Sequence, residues 1–86
     1  YINGLPENFG DIKSLVYNNS KNYFLALNSQ STRIALLKLD AESADFNEMY
    51  ALKDDAKISS FTIDEQTSQL FVNYDSKIVS FNLEKK

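Results

Sequence analysis

The chain carries one pattern twice. Residues 12–40, "IKSLVYNNSKNYFLALNSQSTRIALLKLD", are echoed by residues 58–84, "ISSFTIDEQTSQLFVNYDSKIVSFNLE". At an offset of 46, Ile12 matches Ile58, Leu15 matches Phe61, Tyr17 matches Ile63 and Phe24 matches Leu70. Shortening one loop of the second copy by two residues sets the offset to 44. Ile34 then matches Ile78, Leu37 matches Phe81 and Leu39 matches Leu83. Apolar positions agree while loop residues do not, as expected when packing is shared and surfaces are free.

Within each copy the segments have strand length and strand composition. Residues 12–18 are rich in β-branched and aromatic residues and run into "NNSKN", a turn signal. Residues 23–28, "YFLALN", form a nearly continuous apolar run that suits a strand covered on both faces. Residues 33–40, "RIALLKLD", could form a helix by composition alone. The copy "KIVSFNLE" places Val and Phe at matching positions and favours a strand. By the same logic residues 46–53, "FNEMYALK", become a fourth strand between the copies. The second copy supplies strands over 57–64, 69–75 and 77–84. The expected organisation is an N-terminal segment over 1–10, a first repeat over 11–53 and a second, incomplete repeat over 54–86. A period in the mid-forties with four strands per unit is the arithmetic of a propeller blade. The alternative is a small seven-stranded antiparallel sandwich.

At these residues the chain resembles the WD-repeat β-propeller family. The first strands carry the family's apolar spacing at Ile12, Leu15 and Tyr17, and again at Ile58, Phe61 and Ile63. The third strands read "IALLKL" and "IVSFNL". Leu37 and Phe81 stand at the usual tryptophan position, and Lys38 and Asn82 at the usual aspartate position. Asp75 stands where the family often has a turn aspartate, and Ser31 takes that place in the first copy. The Gly-His and Trp-Asp pairs are absent, because the chain has neither His nor Trp. The family's His–Asp–Trp hydrogen-bond network therefore cannot form. The segment over residues 20–77 is also similar to the late blades of the non-catalytic WD-repeat subunits of tRNA guanine-N7 methyltransferases. That resemblance implies a scaffold standing beside a separate enzyme chain.

Blades cover their faces by stacking on neighbours, so a lone pair is expected to need further repeats or further copies. At 86 residues the chain is one small domain at most, and no cysteine is present to staple it. The lack of His and Cys also excludes a Ser-His-Asp triad, a thiolate nucleophile and the usual zinc sites within this chain. The carboxylate pairs Asp54-Asp55 and Asp64-Glu65 sit at predicted turns, where acidic side chains satisfy local backbone donors. No cofactor and no metal site is expected. A net charge of −3 with scattered lysines argues against a polyanion binder. No apolar run approaches the ~20 residues that span a bilayer. "NNS" at 18–20 matches the glycan acceptor triplet but reads first as a turn. Most aromatics fall at repeat-matched positions and read as core. Tyr23 and Tyr74, near Lys21 and Lys77, are the exceptions considered for stacking on RNA bases.

The expectation is a non-enzymatic protein-interaction scaffold in a multi-protein complex, intracellular in the cytoplasm or nucleus. Its partners would be other protein subunits, with RNA met only through a partner and a small molecule disfavoured. Lys21, Arg33 and Lys77 are the candidate contact residues, together with the turns at 18–22 and 29–32 and the connection at 41–45. The alternative from another class is a small lectin-like ligand binder that oligomerises into a propeller. The lack of Trp counts against it, since sugar sites favour indole faces.

Overall fold

The computed structural model describes residues 2–18, 22–39 and 43–83. The protein is all-β, with eight strands in two sheets among the described residues. The first sheet contains β1 (Ile2–Asn3), β2 (Ile12–Asn18), β3 (Tyr23–Asn28), β4 (Arg33–Leu39) and β5 (Ala44–Ala51). The second contains β6 (Ser60–Asp64), β7 (Gln69–Tyr74) and β8 (Lys77–Asn82). Strand order is β1-β5-β4-β3-β2 in one and β6-β7-β8 in the other. Strands β2 to β5 form an antiparallel meander, as do β6 to β8. β1 adds two residues in parallel beside β5.

The helix-compatible stretch at 33–39 is a strand because both of its edges are paired, with β3 and with β5. Ladder hydrogen bonds on both sides, and burial on both faces, outweigh the weak helical preference of Leu and Ala. The expected strand at 46–53 begins two residues earlier, at Ala44, and ends at Ala51. Lys53–Asp55 is instead a short 3-10 turn with Asp54 and Asp55 at positive φ. The strand expected from 57 starts at Ser60. Residues 52–59 form the connection between the sheets, held where the Ile58 N–H donates to the Ser31 carbonyl at 2.7 Å.

The repeat is realised strand for strand. β3 and β7 are offset by 46 at both ends, and the two loops that follow differ by two residues. The longer loop spans 29–32. The shorter is the hairpin of Asp75 and Ser76, whose φ values of 46 and 59° match the two-residue turn that strand twist favours. Registers coincide too. Tyr17 faces Phe24 and Phe24 faces Leu37, just as Ile63 faces Leu70 and Leu70 faces Phe81.

Side-chain direction decides how the two units meet. Leu25, Leu27, Ile34 and Leu36 of the first sheet pack with Leu70 and Val72 of the second, joined by Phe61, Ile63, Val79 and Phe81. This inter-sheet core also takes Leu52 and Ile58 from the connection. Leu37 and Phe24 lie on the opposite face of the first sheet, away from the second. Their repeat mates Phe81 and Leu70 point toward the first sheet. Equivalent residues therefore look the same way along the stack, and the contact is head to tail. Two sheets related by a two-fold axis would turn equivalent residues toward one another.

The outer faces differ. On the first sheet Ala26 and Ala35 face each other across β3 and β4. Their small side chains leave room for Phe9, which is buried there with Leu37 and Ala44. Leu5 packs against the same cluster, so residues of the N-terminal segment form part of the fold. On the second sheet, alternation puts Ser60, Thr62, Asn73, Ser80 and Asn82 on the far face, with Phe71 and Ile78 among them. That face is largely polar. Among the described residues no helix is long and apolar enough to cross a membrane.

Candidate interaction surface

Of the expected contact residues, Arg33 and Lys77 are described. Lys21 lies outside the described residues, as do parts of the turn at 18–22 and of the connection at 41–45. Arg33 opens β4 and donates from Nη1 to the Asp55 carboxylate, an exposed ion pair of the kind that contributes about 1 kcal/mol or less. Lys77 holds the matching place at the start of β8. It is exposed, with Nζ 6.0 Å from the centre of the Tyr74 ring. Each cation is engaged by its own neighbours.

The turn at 29–32 is built by buried Asn28. Its Oδ1 accepts from the Thr32 and Arg33 N–H groups at 2.8 and 3.0 Å, and its Nδ2 donates to the Phe9 carbonyl at 3.0 Å and the Thr32 hydroxyl at 3.1 Å. One amide thus fixes the turn and ties it to the segment that fills the outer face. Lys57 Nζ reaches the Gln30 carbonyl at 3.1 Å, so the inter-sheet connection docks on this turn as well.

One expectation is corrected. Tyr23 is buried, and its hydroxyl accepts from Asn18 Nδ2 at 3.0 Å, so its ring is not open to a base. Asn18 is buried too, so the first residue of "NNS" offers no accessible acceptor nitrogen, in keeping with the preference for the non-glycan reading. The Asp54-Asp55 pair is exposed in its turn, and Asp64 accepts from the Gln66 N–H at 3.0 Å, the local role acidic turn residues usually play. Among the described residues no three His, Cys, Asp or Glu side chains group to hold a metal ion. Tyr50, facing the inter-sheet core, has its hydroxyl pKa pushed up from 10.0 to about 12, chiefly by burial and further by the charges of Glu48 and Tyr23.

The surface that stands out was expected to be core. Leu15, Val16 and Tyr17 on β2 are 50, 38 and 45 % exposed. β2 is the edge of the first sheet, paired only with β3. Its repeat mate β6 carries Phe61 and Ile63 at the matching positions, but there they pack into the inter-sheet core. The sequence repeat equates the two strands; the stack makes one inward and the other outward. Burial of the matching positions depends on what packs behind each sheet, which a sequence repeat does not carry. The chain matches no family model, no curated protein and no solved structure.

Proposed function

We propose that the chain is a non-enzymatic protein-interaction scaffold made of two WD-like blades. It works beside other protein subunits in a multi-protein complex, and RNA reaches it only through such a partner. One observation carries the reading: the two meanders share strand order and register and stack head to tail, with equivalent side chains looking the same way. Blade-type repeats meet in this manner. A rigid stack of this kind offers strand edges and loop ends as contact surfaces.

The test is to tag the polypeptide carrying this sequence in its source cells and purify it at native abundance. Native mass spectrometry and cross-linking then define its company. The reading predicts a stoichiometric complex with a different protein. Recovery as a free species, or only with its own copies, contradicts it.

A further inference from the structure

We propose that β2 joins two copies of this chain edge to edge, antiparallel, about a two-fold axis at Val16. This inference is separate from the scaffold reading and survives its failure.

The backbone sets the kind of occupant. Among the described residues β2 has β3 on one side and no strand on the other, so its outer edge over Leu15–Tyr17 carries no ladder. Such an edge is completed by another extended strand. The side chains make that completion favourable. Of the four large hydrophobics exposed among the described residues, three are the consecutive Leu15, Val16 and Tyr17. Leu15 and Tyr17 share one face of the sheet, opposite Ala26 and Phe24, while Val16 points to the other, opposite Leu25.

The usual defences of an edge are confined to its first residues. The irregularity between Ile12 and Ser14 and the charge of Lys13 protect only the start of the strand. Lys13 is also drawn away, with Nζ donating to the Ser31 hydroxyl at 3.0 Å. From Ser14 to Asn18 there is no charge, proline or glycine. The remaining edges are less suitable. β1 is two residues long, and β8 exposes Ile78 alone among large hydrophobics. β6 turns Phe61 and Ile63 into the inter-sheet core.

What selects a second copy is that the strand is complementary to itself. An antiparallel pair centred on Val16 sets Val16 against Val16 of the second copy on one face. On the other face it sets Leu15 against Tyr17 of the second copy, twice. Ser14 then meets Asn18 across the pair. Aromatic and aliphatic cross-strand neighbours of this kind are favourable. Tyr17 already packs on Phe24 with ring centroids 5.0 Å apart, so the added Leu15 would extend an existing apolar row. Centring on Leu15 instead would place Lys13 against Tyr17 and leave Val16 opposite Ser14, a poorer match.

The test is light scattering after size exclusion, over a concentration series, on the 86-residue chain. The predicted mass rises to about twice the 9.8 kDa of the chain. Val16→Lys places two ammonium groups face to face at the axis and should yield a monomer where the wild type is dimeric. Leu15→Glu and Tyr17→Lys should each do the same. The double substitution L15E/Y17K should restore the dimer, because each introduced carboxylate then faces an introduced ammonium. Far-UV circular dichroism checks that every variant stays folded. A wild-type chain that is monomeric up to its solubility limit overturns the proposal. So does a dimer that survives both V16K and L15E, or a double variant that stays monomeric.

Discussion

Ile34 and Ile78 hold the same place in the two repeats and point the same way, yet one is 0 % and the other 69 % exposed. The pair isolates what stacking contributes. Ile34 lies between the sheets with Leu25, Leu27, Leu36, Leu70 and Val72. Truncation to Ala removes three carbons from a closed core and leaves a cavity that rigid strands on both sides cannot fill. Such substitutions cost about 2–5 kcal/mol. Ile78 meets solvent, and its truncation should stay within about 0.5 kcal/mol. A chain of this length has roughly 4–13 kcal/mol of total stability at ordinary per-residue values. Ile34→Ala should therefore remove a large share of it, and Ile78→Ala almost none. Urea unfolding followed by circular dichroism reads both. The midpoint should fall sharply for the first and hardly move for the second, with the slope against denaturant unchanged. If Ile34→Ala is unfolded in buffer, the comparison is repeated in a stabilising osmolyte. Equal costs at the two positions would refute the assignment of the inter-sheet core.

Three further outcomes follow from the same contacts. Phe9→Ala should cost about 3–5 kcal/mol in urea unfolding although Phe9 lies outside the repeats, because it fills the space above Ala26 and Ala35. Asn28→Ala should lower stability by at least ~2 kcal/mol, since it strands the Thr32 and Arg33 N–H groups and the Phe9 carbonyl; a thermal melt measures it. Tyr50 has a folded pKa of about 12 against an ordinary 10.0. Its neutral form is favoured by the fold, so its contribution is intact below pH 10 and is lost as pH rises from about 10 toward 12. Urea midpoints across that range should fall less for Tyr50→Phe than for the wild type.

Much of the fold was legible because the repeat supplies a second copy of each ambiguous segment. "RIALLKLD" alone permits a helix, and its mate "KIVSFNLE" removes the ambiguity. The two-residue loop difference needed to align the copies is the difference between the turn at 29–32 and the Asp75-Ser76 hairpin. Exposure was not legible by the same route. A repeat equates Leu15 with Phe61 and Tyr17 with Ile63, but burial depends on what stands behind each strand: among the described residues the first sheet stands behind β6, and no sheet stands behind β2. The role of Phe9 was equally hidden, because it belongs to neither copy. The alanines at 26, 35 and 44 were its trace, since three small side chains on one face of a core sheet call for something large above them. Arg33 and Lys77 stand out in the sequence as charges at strand starts. Charge there is held by near neighbours, Asp55 for Arg33 and Tyr74 for Lys77.

The direction of stacking is tested most directly by nuclear Overhauser contacts in the isotope-labelled chain. Head-to-tail packing predicts contacts between the Tyr50 and Phe81 rings, whose centroids lie 5.1 Å apart across the sheets. It predicts that the Phe24 ring and the Leu37 methyls touch Phe9 or its neighbours and nothing in β6, β7 or β8. Contacts between Leu37 and Phe81, with none between Tyr50 and Phe81, would mean that the sheets face each other through equivalent residues, and the account would be wrong.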